Sequence, residues 1–188
     1  MRIVGGTHRG RRLEAPADDA IRPTSDRVRE AVFNVLAHAP FAAGALRSGV
    51  ALDAFCGTGA MGLEALSRGV GACVFLDTDL AALKLTERNA AACGETARAR
   101  FLLTDATRPP RPPAVAALAF LDPPYASTLA APALAALAAG GWFEAGALCV
   151  VETGAGFAPP AGFTPLDERR YGRARIAFLR WGQPAQAP

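Results

Sequence analysis

Residues 49–69 read GVALDAFCGTGAMGLEALSRG. The apolar run from Val50 to Ala54 predicts a buried strand, and Met61 to Arg68 predicts a helix. Between them Gly57, Gly59 and Gly62 fit the spacing GxGxxG, in which absent side chains let the backbone turn tightly after the strand and approach a ligand at the helix N-terminus. A strand, a glycine-rich turn and a helix in that order open a βαβ unit.

The segments on either side continue the alternation. GACVFLDTDLAALKLTERNAAACG reads as strand and helix, ARFLLTDA as a third strand, and AVAALAFLDPPY as a fourth. APALAALAAGGW is an Ala-rich helix that tolerates Pro132 in its first turn, and ALCVVETG is a fifth strand. FTPLDERRYGRARIAFLRW supplies two closing strands meeting near Gly172. Upstream, RIVGGTHRGRRLEAP predicts a small β-hairpin over residues 1–16, and RPTSDRVREAVFNVLAH an amphipathic helix over 22–38, capped by Thr24, Ser25 or Asp26. The expected fold is α/β, Rossmann-like: a seven-stranded, mostly parallel sheet with helices on both faces. One domain is expected over residues 1–181, with its core at 49–181 and a flexible tail at 182–188.

Composition sets the bounds. With 188 residues and 51% hydrophobic content the chain can bury a substantial core. No apolar stretch approaches the length of a membrane span and the N-terminus is unlike a signal peptide, so a cytoplasmic protein without a membrane partner is expected. Cys56, Cys73, Cys93 and Cys149 are widely spaced with no CxxC pair, which predicts neither a metal site nor a disulfide framework but four small buried residues. The net charge of +3 is modest, yet both ends are basic: Arg2, Arg9, Arg11 and Arg12 stand in the first twelve residues, and five arginines in residues 167–180. That distribution fits a nucleic-acid partner; it also fits a solvated surface in a chain whose single lysine is Lys84.

Acids at the strand ends narrow the ligand. Asp77 follows Gly57 by twenty residues, the position from which a carboxylate accepts both hydroxyls of a ribose. Taken alone, this fits NAD. But Asp53 lies four residues before Gly57, where a carboxylate repels a pyrophosphate and suits an ammonium, and Asp105 ends the third strand, within reach of an adenine amino group. S-adenosylmethionine carries an ammonium and no phosphate. Asp53 can equally serve as a turn-stabilising acid.

The fourth strand ends abruptly at Asp122, Pro123, Pro124 and Tyr125. Proline donates no backbone hydrogen bond, so the ladder stops there, at the carboxyl end of a strand where open α/β sheets bind ligands. If the ligand is a methyl donor, the Asp122 carboxylate and the Pro123 carbonyl can each accept one N–H of an exocyclic amine, turning its lone pair toward the methyl group, while Tyr125 stacks on the ring. A plain strand-ending turn is the alternative.

The series DAFCGTGAMG, FLDTD, LLTDA and LDPPY resembles the class I S-adenosylmethionine-dependent amino-methyltransferases. Together with RIVGGTHRGRRL, RPTSDRVREAVFNVL and GLEALSRG it resembles the RsmD family, which methylates the N2 amine of one guanine in 16S ribosomal RNA. The resemblance runs from Arg2 to about Trp181. It implies a cofactor site of Asp53, Phe55, Gly57, Gly59, Asp77 and Asp105, and a catalytic motif of Asp122, Pro123, Pro124 and Tyr125. It also implies that the hairpin and first helix grip RNA through Arg9, Arg11, Arg12, Arg22, Arg27 and Arg29. Against that stands a reading of RPTSDRVRE as a structural lid, with Arg27 or Arg29 paired to acids. The expected partner is 16S rRNA in a 30S subunit or assembly intermediate, met by a monomer. The loop TRPPRPPAV departs from the family in its proline content and is expected to alter access to the site.

Rival readings share part of this pattern. A DNA or RNA adenine-N6 methyltransferase uses the same Asp-Pro-Pro-Tyr logic, though a DNA enzyme needs means to extrude a base for which this chain has little room. A protein glutamine methyltransferase more often carries Asn at the position of Asp122. An NAD-dependent oxidoreductase lacks an evident proton-transfer residue here, as His8 and His38 both precede the glycine turn. A non-catalytic RNA-binding module has no need of acids at four strand ends.

Overall fold

The apolar runs pair side by side, as strands buried on both faces do. In a computed structural model that describes residues 1–15, 26–47, 49–124, 128–154, 156–172 and 174–182, the elements in chain order are α1 (Asp26–His38), β1 (Val50–Ala54), α2 (Ala60–Ser67), β2 (Ala72–Asp77), α3 (Leu80–Cys93), β3 (Ala99–Leu103), β4 (Ala116–Leu121), α4 (Ala130–Ala139), β5 (Phe143–Thr153), β6 (Phe163–Tyr171) and β7 (Ala174–Trp181). They form one seven-stranded sheet in the order β3-β2-β1-β4-β5-β7-β6. Strands β1 to β5 are parallel, and β7 runs antiparallel to both β5 and β6.

The sheet divides the core in two. Phe75, Phe120, Val150, Ile176 and Phe178 on one face pack against Val32, Phe33 and Leu36 of α1, Leu63 and Leu66 of α2, and Leu83 of α3. On the other face Leu76, Leu121, Cys149, Val151 and Leu179 meet Leu134 and Leu137 of α4, and Trp142. Gly62 is required by this packing: a Cβ there would collide with the Phe75 ring and come within 2.6 Å of the Cys73 sulfur, so α2 lies closer to the sheet than any side chain allows. All four cysteines are free and buried. Among the described residues no helix is long and apolar enough to cross a membrane.

One expectation needs adjustment. The hairpin of residues 1–16 is a turn closed by one antiparallel bridge, Arg2 with Arg12, rather than two strands. Its arms are joined by Ile3 N–H to the Arg11 carbonyl at 2.9 Å and Leu13 N–H to the Met1 carbonyl at 3.1 Å, and it is seated on helices as well: Val4 N–H donates to Glu64 Oε2 at 2.8 Å, His8 N–H to Ser67 Oγ at 2.9 Å, and Glu14 N–H to Asn89 Oδ1 at 2.7 Å. The first helix is described from Asp26, and residues 22–25 lie outside the described residues, as do 183–188 of the tail. The proline-rich loop starts at the carboxyl edge, where Thr107 donates to Asp105, and returns to the entry to β4 and β5, where the buried Trp142 indole donates to the Pro110 carbonyl at 2.9 Å.

Candidate active site

Strands β2 and β4 flank β1, so the chain direction across the sheet reverses between β1 and β4. At such a switch point the loops leaving the carboxyl ends diverge and open a crevice. Asp53 lies on β1 opposite Phe120 of β4, and Asp122 follows the last registered rung, Ala54 with Leu121. Asp77 ends β2 and Asp105 follows β3. The acids that the sequence puts at four strand ends thus line one edge of the sheet.

The glycine turn is held by two of these acids. Asp77 Oδ2 accepts the N–H of Gly57 at 2.9 Å and its Oδ1 accepts that of Asp79 at 3.0 Å. Asp53 Oδ2 accepts the N–H of Gly62 at 2.8 Å. Gly59 N–H is taken by the Cys56 carbonyl at 2.7 Å. Each motif glycine therefore has its N–H engaged by a protein oxygen, where a pyrophosphate-binding turn would direct such groups at the ligand.

Phe55 is held at φ 63°, in the left-handed region that a residue with a Cβ avoids. Strain of that kind, of order 1–3 kcal/mol, persists where surrounding packing over-determines the backbone. Here half-buried Phe55 packs against the buried cluster to which Leu52 and Leu76 belong. Gly59, at φ 74°, starts α2, and a Cβ on it would meet Thr86 of α3 at 2.5 Å.

The edge is electrostatically uneven. Burial pushes the Asp53 carboxyl well up, the Gly62 N–H pulls it back, and the charges of Asp122 and Asp77 raise it again. Exposed Asp105 is lowered by the N–H and then the hydroxyl of Thr107, both donating to Oδ1 at 2.8 Å. Half-buried Glu152, at the end of β5, is pushed up to about 7 by burial first, then by the charge of Asp122 and a side-chain hydrogen bond to it. Sequence reading passed over Glu152. Its signal was present, since VVETG ends an apolar strand with an acid as the four other parallel strands do, but its neighbour is set by the β4–β5 register.

Pro123 is buried and Pro124 exposed; Tyr125 lies outside the described residues, as does Arg22. Arg9, Arg11, Arg12 and Arg27 are exposed. Arg29 requires correction. Its side chain is fully buried, donates to Asp26 at 2.8 Å and to the Arg2 carbonyl, and lies 3.7 Å from the equally buried Glu64, so it braces α1 on α2 and is closed to RNA. The turn carrying Arg9 docks through His8 on Ser67 and Glu95, at the amino end of the strands, away from the Asp122 edge. At the Asp122 edge stand Arg170 and Arg175 instead, since β7 starts opposite Thr153 where β5 ends.

Residues 1–180 match the family described as conserved hypothetical protein 95. The Ribosomal RNA small subunit methyltransferase D of Escherichia coli K12 is 36% identical over 157 residues, 81% of this chain and 74% of that protein. The chain belongs to the RsmD family. The yhhF protein of Escherichia coli, 29% identical, superimposes with a TM-score of 0.81 over 98% of this chain and 99% of that one. An RNA methyltransferase from Salinibacter ruber, solved in complex with S-adenosyl-L-homocysteine, matches at TM-score 0.62 and 17% identity over 88% of this chain and 96% of that one, a likeness of fold. The RsmD chain therefore has the class I methyltransferase fold, and the switch-point edge described above is that fold's ligand edge.

Proposed function

We propose that this chain transfers a methyl group from S-adenosylmethionine to the exocyclic N2 amine of a guanine in 16S ribosomal RNA of the small subunit. The observation that carries the chemistry is the position of Asp122: one residue beyond β4, at the switch point, next to the strand that bears the glycine turn. Family membership and a relative named for small-subunit rRNA support the substrate.

The donor set fits the cofactor. Asp53, Asp77 and Asp105 are carboxylates suited to an ammonium, ribose hydroxyls and an adenine amine, and the glycine N–H groups a phosphate would need are occupied. When bound, S-adenosylmethionine supplies an electrophilic methyl carbon on a sulfonium. The chain's own residues orient the nucleophile. Asp122 accepts one N–H of the amine and the Pro123 carbonyl the other, which withdraws the nitrogen lone pair from ring conjugation and aims it in line. Pro124 keeps the segment from rejoining a ladder, and Tyr125 is assigned the stacking face by its place in the motif. As the nitrogen gains carbon it sheds one proton, to Asp122 or to water. RNA contact falls to exposed Arg12 and Arg27, with Arg9 and Arg11 reaching a more distant part of the RNA. The protein acts as a monomeric domain, residues 1–181, in the cytoplasm on a 30S subunit or assembly intermediate.

Titration calorimetry with S-adenosylhomocysteine and, separately, NAD tests the cofactor; tritium transfer into 30S particles from cells lacking the enzyme, followed by nucleoside analysis, tests the substrate. Binding of S-adenosylhomocysteine alone and label in N2-methylguanine are expected. Binding of NAD alone, or label in adenine or protein, overturns the reading.

A further inference from the structure

We propose that Glu152 is a positioning residue for methyl transfer: it donates a hydrogen bond across the β4–β5 ladder that fixes the Asp122 carboxylate against the acceptor amine. The proposal rests on the role given to Asp122 above. The last registered rung of that ladder pairs Leu121 with Val151, so Asp122 and Glu152 are the next pair, both pointing to the face that carries Phe120 and Val150. Their side chains are hydrogen-bonded. An ionised carboxylate only accepts, so two carboxyls joined in this way hold one proton between them.

The surroundings assign that proton to Glu152. Burial and the adjacent Asp122 charge favour its neutral form. Opposite Glu152 on β7 is Ile176, which brings no charge, while the nearby Arg175 is registered with Thr153, whose side chain points to the other face, and pairs with Glu168 at 3.6 Å. Among the described residues of the strands beside it, no cation is thus directed at Glu152, and its neighbour across the ladder is an acid.

A neutral Glu152 does two things for Asp122. It engages the Asp122 carboxylate and so helps to set the rotamer from which Asp122 meets the amine N–H, where the two prolines restrain only backbone. It also withdraws electron density, so Asp122 orients the amine as an acceptor without first removing its proton.

Kinetics of variants and carboxyl NMR test this together. Glu152→Ala is expected to lower kcat about 10- to 100-fold with KM for S-adenosylmethionine within about twofold, as for a misplaced reacting group. Glu152→Gln keeps a donor and is expected to retain kcat within about threefold and to lose any fall in rate above about pH 7 due to Glu152 ionisation. An alanine variant with parental kcat, or a glutamine variant as slow as alanine, overturns the proposal. Independently of activity, the Glu152 side-chain ¹³C signal, identified by its loss in Glu152→Gln, is expected to titrate near 7 and to move downward in Asp122→Asn. An ordinary glutamate titration in the parent protein overturns the proposal as well. Label transfer by the parent enzyme tests the RNA reading separately, and the NMR titration decides the hydrogen bond whether or not that reading holds.

Discussion

Asp77 accepts the backbone N–H of Gly57 at 2.9 Å, tying the end of β2 to the first glycine of the turn that leaves β1. The carboxylate assigned to the ribose is therefore also a clamp on the loop that must receive the cofactor. Asp77→Ala is expected to weaken S-adenosylhomocysteine binding at least about tenfold, since a charge-assisted acceptor and the loop geometry are lost together. Calorimetry checks this, and parental affinity in the variant would remove Asp77 from the ribose site.

Asp122 makes the opposite prediction. Asp122→Ala is expected to lower kcat/KM on 30S particles by about 10²–10⁴-fold while S-adenosylhomocysteine affinity stays within about twofold, because the side chain acts on the acceptor and not on the donor. Tritium transfer beside calorimetry separates the two effects.

Two sets of arginines divide by burial. Arg29→Ala is expected to destabilise the fold by about 2–5 kcal/mol, measured by urea unfolding, because it empties a fully buried site between α1 and α2 and leaves Arg68, at 2.7 Å, to face buried Glu64 without it. Arg12→Ala and Arg27→Ala, both exposed, are expected to leave stability within about 0.5 kcal/mol and to reduce the salt dependence of RNA binding by about one unit of slope each. An unchanged slope would withdraw those two from the RNA face.

Gly62→Ala tests the close seat of α2. The added methyl meets the Phe75 ring and the Cys73 sulfur, neither of which has room to retreat in a fully buried core, so a loss of about 1–3 kcal/mol is expected in the same unfolding experiment. A variant as stable as the parent would mean that the helix lifts from the sheet without penalty.

Stability should carry a pH signature of Glu152. Its folded-state value of about 7 lies above the ordinary 4.5, so between those two the folded protein holds a proton that the unfolded chain releases. The stabilising contribution is complete below 4.5 and is lost as pH rises through 7. Asp26 and Glu95, both lowered on balance by hydrogen bonds that outweigh burial, run the other way and lose their contribution as pH falls. Melting scans of the parent and of Glu152→Gln from pH 4 to 8 separate the terms: only the parent should weaken between 5 and 7 on account of this residue.

The order of strands and helices, the glycine turn and the acids at Asp53, Asp77, Asp105 and Asp122 were legible in the sequence, because each is a local pattern: a buried run has a composition, a tight turn needs glycine, and a proline pair ends a ladder. What a local pattern does not contain is which residues meet. Arg29 and Arg27 are two residues apart on one helix, yet one is sealed against Glu64 and the other faces solvent, and only the docking of α1 on α2 separates them. The first segment is legible as a hairpin turn, but the contacts that seat it run to Glu64, Ser67 and Asn89, far along the chain. Glu152 acquires its raised proton affinity because parallel pairing sets β5 beside β4 with Val151 level with Leu121. Residue type and local periodicity are properties of the chain; burial, register and the charge next door arise only when distant segments pack, and those decided which arginine is structural and which acid stands beside the catalytic one.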